Sequence, residues 1–146
     1  MQTKAFLNAL EHERIVKAIA QAEACSRAEV RVHVSNQAVD DPQKAAAAQF
    51  EKLGMTRTAE RNGVLIYVAP RSRKFAILGD SGIHQSCGQP FWHDVAAAME
   101  ADFRAGRFTD GIVKGVARAG EALGTHFPRR EGVCDINELK DEVSED

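Results

Sequence analysis

The spacing of apolar residues divides the chain into segments with the period of a helix and segments with the period of a strand. Between residues 9 and 24, apolar residues recur at helical spacing with charged residues between them, which predicts a helix. Residues 30–35 alternate valine with a polar residue, which predicts a strand with one polar face. Residues 64–69 are apolar throughout, which predicts a central strand covered on both sides.

A helix is predicted between the first two strands. Asp41 can cap its start, Pro42 suits its first position, and Gly54 suits its end. After the central strand, the turn at residues 70–74 is too short for a parallel crossover. The strand predicted at residues 75–78 must therefore run antiparallel to the central strand.

Two more helices follow, each with an apolar stripe, and Gly106 separates them. Thr109 or Asp110 is the expected cap of the second helix. The order α-β-α-β-β-α-α predicts an α/β fold, a three-layer α/β/α sandwich on a small mixed sheet with a right-handed parallel unit. The alternative is an α+β domain with helices on one face, and the apolar central strand argues against it.

Length and composition limit the classes of protein. The 146 residues predict one domain, residues 1–128, followed by a highly charged tail, residues 129–146, in which Ile136 and Leu139 could dock on the domain. The formal net charge of −2 offers no electrostatic footprint for nucleic acid. No apolar run is long enough to insert into a membrane.

The amino-terminal residues show no secretory signal pattern, so we expect a cytoplasmic protein. The three cysteines, Cys25, Cys87 and Cys134, lack the paired spacing of a metal site and are expected to be reduced thiols. A catalytic cysteine is the alternative to a structural or surface thiol.

Several motifs together resemble the TPM domain family, named for a thylakoid lumen protein, a photosystem II protein and a receptor modulator. They are AEVRVHV at 28–34, LGM at 53–55 with RNGVLIYVAP at 61–70, FAILGDSGIH at 75–84, FRAGRFTDGIVKG at 103–115, and INEL at 136–139. The INEL ending is similar to that of a short soluble branch. The resemblance implies a Rossmann-like α/β/α fold.

The resemblance also bears on activity. Some members of the family bind calcium or another divalent metal, weak acid-phosphatase activity has been attributed to one branch, and many members have no known activity. This chain differs from exported members because it shows neither a signal nor a membrane anchor. It also has Arg61 and Asn62 where many members carry an acidic residue next to the asparagine.

If the first two strands are parallel and the third runs back, candidate residues meet at two edges of the sheet. At one edge, Asp80, Glu29 and Asn62 carry oxygen ligands suited to Ca²⁺ or another divalent cation. Arg61, Asp80 and His84 are the candidate catalytic residues there, with His84 as acid or base. Ser81 lies beside them but has no adjacent base assured by the sequence. The alternative is that Asp80-Ser81-Gly82 and Asn62-Gly63 are turns without a ligand.

The other edge gathers Asp40, Asp41 and Asp110 as second-choice metal ligands. This edge holds the carboxyl ends of the parallel strands, where ligands are usually bound. A helix cap is the alternative role for Asp41. The basic turn at residues 71–74 could bind phosphate, or it could be a solvated hairpin tip.

Three functions remain open. The first is a divalent-cation-binding interaction module with a protein partner and little or no catalysis. The second is a metal-dependent weak acid phosphatase that uses Asp80 and His84. The third is an interaction scaffold without a metal. No phosphate loop, dinucleotide fingerprint, nucleophile elbow or zinc pattern occurs in the chain, so no organic cofactor is expected.

Overall fold

A computed structural model describes residues 1–24, 26, 28–57, 61–127 and 143–145. In this part of the chain, six helices and four strands build an α/β domain. Two short 3₁₀ turns, Met55–Arg57 and Pro70–Ser72, flank the central strand. The elements are α1 Thr3–Ala9, α2 His12–Ala24, β1 Val30–Val34, α3 Pro42–Lys52, β2 Val64–Ala69, β3 Lys74–Gly79, α4 Ser81–Cys87, α5 Gln89–Arg104, α6 Phe108–His126 and β4 Val143–Glu145.

The four strands form one mixed sheet in the order β3-β2-β1-β4. Strand β1 pairs in parallel with β2 on one side and with β4 on the other, whereas β2 and β3 are antiparallel. Every residue of β2 is buried, because apolar side chains on both of its faces meet helices. The predicted central strand and the antiparallel hairpin after it are therefore confirmed.

Two apolar cores lie on opposite faces of the sheet and make the fold a three-layer sandwich. On one face, Ile66 packs with side chains of α2, α5 and α6, among them Ile19, Met99 and Ile112. On the other face, Leu65 and its neighbours pack under α3 and the turn after it, a smaller cluster that comprises Ala46, Phe50, Met55, Leu65, Tyr67, Ala69 and Ala76. The α/β/α prediction is confirmed.

The polar residues that alternate with the valines of residues 30–35 lie on one face of the strand, as predicted, and two of them are buried. His33 and Ser35 are buried, each 2% exposed. The His33 ring stacks on Tyr67 at 5.8 Å, and its Nδ1 lies 2.8 Å from the Ser144 hydroxyl on β4. The cause is β4, which pairs with β1 on the side opposite β2, so β1 becomes an interior strand.

The hydrogen bonds at the starts of α3 and α6 show which of the predicted caps form. The Asp41 carboxylate accepts hydrogen bonds from the backbone N–H groups of Gln43 and Lys44, which confirms it as the cap of α3. The cap predicted for α6 is wrong, because the N-cap residue is Arg107 and no side chain among the described residues caps that helix. The Thr109 hydroxyl instead accepts a hydrogen bond of 3.0 Å from the backbone N–H of Glu11, which ties α6 to the start of α2.

Several features have no sequence prediction or lie outside the described residues. Helix α1 was not predicted, and neither was β4. Cys87 is a half-buried free thiol whose pKa is raised by burial. Cys25, Cys134 and the tail residues 129–142, including Ile136 and Leu139, lie outside the described residues. In the described ranges, no helix combines the length and the apolar character needed to cross a bilayer.

Candidate functional site

The start of β1, the start of β2 and the end of β3 meet at one edge of the sheet, which we call the Asp80 edge. The backbone N–H of Val64 donates to the carbonyl of Glu29, and the N–H of Asp80 donates to the carbonyl of Gly63, both at 2.9 Å. These bonds bring the segments of Glu29, Asn62 and Asp80 to the same edge, as predicted. All three residues are buried, at 4%, 2% and 7% exposure.

Asp80 is held by a two-pronged ion pair. The Arg61 Nε donates to Asp80 Oδ2 at 2.7 Å, and the Arg61 Nη2 donates to Oδ1 at 2.9 Å. Oδ1 also accepts from the backbone N–H of Ser81 at 2.7 Å, so Asp80 caps α4. Both carboxylate oxygens are therefore engaged by donors, and the buried charge is matched by a guanidinium.

Arg61 differs from Asp80 in its exposure. Its side chain is 51% exposed, whereas that of Asp80 is 6% exposed. The backbone of Arg61 has a positive φ of 52°, and its carbonyl accepts a hydrogen bond from the N–H of Gly82. The hydrogen bond to Asp80 raises the pKa of the Arg61 guanidinium. The main chain at Arg61 is thus anchored while its side chain borders solvent.

The remaining catalytic candidates are not joined to this pair. His84 and Ser81 are exposed on α4. The His84 ring stacks parallel to Trp92, with 6.5 Å between ring centroids. Within the described part of the chain, no hydrogen bond connects the His84 ring or the Ser81 hydroxyl with the Asp80 carboxylate. Among the described residues, neither the Ser81 hydroxyl nor the His84 ring is therefore joined to Asp80 as a nucleophile or base.

Sequence reasoning missed Glu23, a buried acidic residue near the same strand start. Its Oε2 accepts a hydrogen bond of 2.9 Å from the backbone N–H of Val30, the first residue of β1. Glu23 is only 7% exposed. The available signal was its position on the buried face of α2, next to Ala22 and in register with Ile15 and Ile19.

Each of the second-choice metal ligands makes a contact of its own. Asp41 caps α3, the carbonyl of Asp40 accepts from Lys74 Nζ at 2.7 Å, and the Asp110 carboxylate pairs with Arg14 at 2.8 Å. Across residues 1–24, 26, 28–57, 61–127 and 143–145, no three His, Cys, Asp or Glu side chains are grouped to hold a metal ion.

The Asp80 edge can be compared with the needs of a divalent cation. Carboxylate and amide oxygens are the right donor chemistry for Ca²⁺ or Mg²⁺. Glu29 and Asp80 supply carboxylates and Asn62 supplies an amide, which are the donor types that a hard cation prefers. Arg61 occupies the oxygens of Asp80, so a cation there would compete with the guanidinium.

Comparison with known proteins agrees with this architecture. The model of the TPM domain matches residues 1–122. The NMR structure of BA42 protein from the psychrophilic bacterium Bizionia argentinensis is 38% identical, covers 93% of this chain and 92% of its own, and superposes with a TM-score of 0.84.

A second solved structure shares the fold alone. The N-terminal domain of a protein from P. gingivalis is 17% identical, covers 82% of this chain and 76% of its own, and has a TM-score of 0.57. A search among proteins of curated function found no match. The family match over most of the chain and the similarity to BA42 together show that the chain belongs to the TPM domain family.

Proposed function

We propose that this domain is an interaction module that binds a divalent cation at the Asp80 edge, with Asp80, Glu29 and Asn62 as ligands. The observation that carries the proposal is the burial of these three oxygen-bearing side chains at one end of the sheet. Buried carboxylates are costly unless a positive charge or hydrogen bonds compensate them. A calcium-like cation would supply that charge to more than one carboxylate at once.

In the proposed site, Arg61 would couple the binding of a cation to a change at the protein surface. The guanidinium compensates Asp80 when no cation is bound, and it is the half-exposed member of the pair. Because solvent is directly accessible to Arg61, its side chain can leave Asp80 without opening the core. Cation binding would then release a positive side chain at the surface, where a protein partner with an acidic patch can bind it.

Isothermal titration calorimetry with CaCl₂ and MgCl₂ tests the proposal. The wild type should bind a cation, and Asp80→Asn should lose that binding, since asparagine keeps the capping oxygen but removes the charge. Arg61→Gln should bind more tightly, because the competing guanidinium is gone. Asp94→Asn, at an exposed position on α5, is the matched control and should bind like the wild type.

Cation affinity is expected to be lost in Asp80→Asn and to rise in Arg61→Gln, and this pair of results distinguishes the proposed site from a nonspecific one. A nonspecific surface site would weaken slightly in Asp94→Asn and Asp80→Asn alike. Absence of heat in both the wild type and Arg61→Gln would refute the cation site, provided that circular dichroism shows both proteins folded. Binding that survives in Asp80→Asn would move the site, with Asp40, Asp41 and Asp110 as the next residues to replace.

A metal-dependent weak acid phosphatase is the second candidate. It is favoured by the half-exposed guanidinium of Arg61, which could bind phosphoryl oxygens once a cation has taken its place at Asp80. The bound metal would supply charge stabilisation for the phosphoryl group. The cytoplasmic location expected from the sequence remains a prediction, and cell fractionation of the full-length protein tests it.

A further inference from the structure

A cavity of about 660 Å³ lies at the other edge of the sheet, away from Asp80. Val68 and Ala69 at the end of β2, the turn that begins at Pro70, and the junction between α5 and α6 line it. Its volume is in the range of small-molecule sites. It also lies at the carboxyl end of β2, which is parallel to β1, and open α/β sheets bind ligands at such ends.

The interior of this cavity is built from a continuous row of phenylalanine rings. Phe6 packs on Phe108 and Phe75 packs on Phe103, both pairs at 5.0 Å between centroids, and Phe103 lies 6.4 Å from Phe108. All four residues line the cavity. Three of them, Phe75, Phe103 and Phe108, are only half-buried, so their rings leave apolar surface uncovered.

The rim of the cavity is basic. Arg73, Lys74 and Arg104 line it together with one acidic residue, Glu100, so three basic side chains stand against one acidic side chain. Glu100 is already paired with Arg104 at 2.8 Å. Lys74 Nζ donates to the carbonyl of Asp40, which carries no formal charge. The unbalanced positive charge therefore comes from Arg73 and Lys74.

Arg73 combines exposure, an unused side chain and an uncommon backbone. In the described part of the chain, no hydrogen bond or ion pair involves its guanidinium, and only its backbone N–H is bonded, to the Pro70 carbonyl at 3.1 Å. Its φ of 52° places it in the left-handed region, which costs a non-glycine residue about 1–2 kcal/mol. Such backbone strain is concentrated at functional sites.

We propose that this cavity binds a small amphipathic carboxylate. The aromatic or aliphatic body would lie against Phe75, Phe103 and Phe108, and the carboxylate would face Arg73 and Lys74. An apolar interior with a few charged groups at the mouth is the usual design of a small-molecule site. Arginine is suited to the carboxylate because its planar fork can donate two parallel hydrogen bonds. This site is independent of the proposed cation site, which lies at the opposite edge.

A pair of probes that differ only in charge tests the proposal. Naphthoate and its neutral amide would be titrated into the full-length protein while two-dimensional amide NMR spectra are recorded. Naphthoate should shift the signals of Arg73, Lys74, Phe103 and Phe108. The neutral amide should bind at the same place but roughly two- to fivefold more weakly, the range of an exposed charge pair.

Charge variants should move the naphthoate affinity in opposite directions. Arg73→Asn should weaken binding by roughly two- to fivefold, and asparagine tolerates the left-handed backbone. Glu100→Gln should strengthen binding, because it removes the acidic residue and frees Arg104. Lys44→Gln, at an exposed position on α3 outside the cavity, is the matched control and should leave the affinity unchanged.

Three outcomes would overturn the proposal. One is that neither naphthoate nor its amide binds to the wild type. Another is equal binding of naphthoate and its amide in the wild type, with no change in Arg73→Asn. The third is a set of NMR shifts centred on Arg61 and Asp80 instead of the cavity. Because the spectra also report folding, a misfolded variant is recognised directly, and Glu100→Gln then still decides the role of charge.

Discussion

Gly120 on α6 lies directly against Ala22 on α2. A Cβ atom built on Gly120 would be 2.7 Å from the Cβ of Ala22 and 2.9 Å from its Cα. Real Cβ atoms do not come so near to another residue, and the Cα of Ala22 cannot move without moving α2. The two helices thus approach each other at a point where only a glycine on α6 fits.

Gly120→Ala is expected to destabilise the protein by about 1–3 kcal/mol, since it overpacks a rigid helix contact. The substitution also changes helix propensity, which alone favours alanine by about 1 kcal/mol. Ala117→Gly, on an exposed position of the same helix, measures that propensity effect with the opposite sign. Urea denaturation of both variants separates the two effects. A Gly120→Ala protein more stable than the wild type would contradict the contact.

Gly79 and Gly63 differ in the space around them, so their alanine variants can be compared. A Cβ on Gly79 would be 2.8 Å from the Trp92 ring and 2.9 Å from Ile83, whereas a Cβ on Gly63 would be no closer than 3.4 Å to any neighbour. Gly79→Ala is therefore expected to cost about 1–3 kcal/mol, and Gly63→Ala less. Trp92 is the only tryptophan, so its fluorescence reports unfolding. Equal costs for the two variants would contradict the predicted difference.

Asp102 should contribute to stability in a pH-dependent way. Its buried carboxylate is paired with Lys114 at 2.9 Å and with Arg107 at 3.0 Å, and these partners lower its pKa. Because the pKa of Asp102 is lower in the folded state than in the unfolded chain, Asp102 stabilises the fold fully at pH values above its unfolded pKa of about 3.9. This stabilisation is lost as the pH falls through the pKa of Asp102 in the folded state. The stability difference between the wild type and Asp102→Asn should therefore be constant from about pH 5 upward and shrink in more acidic buffer.

The control for this measurement is Glu100→Gln. Glu100 pairs with Arg104 on the same helix, but both side chains are more than half exposed. Exposed pairs contribute little to stability because solvent screens them. Denaturation curves at a series of pH values should show a clear difference for Asp102→Asn and almost none for Glu100→Gln. A difference that stays constant down to strong acid would contradict the ion-pair explanation.

Phosphatase turnover is expected to be small or absent. Among the described residues, no base is hydrogen-bonded to the Ser81 hydroxyl, and the His84 ring is stacked on Trp92. A phosphatase needs an activated nucleophile and an acid for the leaving group. The measurement is hydrolysis of a generic phosphate ester by highly purified protein, with and without Ca²⁺, Mg²⁺ or Mn²⁺. Metal-dependent turnover that disappears in both Asp80→Ala and His84→Ala would contradict this expectation.

The central part of the fold could be predicted from the sequence because its signals are local. The apolar run Val64–Ala69 needs cover on both faces, and the short turn after it forces an antiparallel partner. Strand β4 could not be predicted, because its three residues, Val143–Glu145, lie in a charged segment without a period of apolar residues. Pairing with β4 places β1 inside the sheet, where His33 is buried.

For the candidate site, the sequence predicts which strand ends meet at one edge of the sheet, but not which side chains bond there. Topology alone brings Glu29, Asn62 and Asp80 to one edge. The pairing of Asp80 with Arg61 is accompanied by a positive φ at Arg61, which no periodicity in the sequence indicates. Glu23 was missed because its acceptor role depends on where α2 ends relative to Val30.

The position of β4 in the chain has a consequence for biosynthesis. Val34 at the end of β1 and Val143 at the start of β4 are 109 residues apart, since 143 − 34 = 109. At the usual rates of translation this separation corresponds to roughly 5–20 s. During that time, the nascent polypeptide has a β1 whose outer hydrogen-bonding groups have not yet met their own partner strand. Until residue 143 has been added, an extended segment of a neighbouring nascent chain can compete for that edge, because β4 is not yet there to cover it.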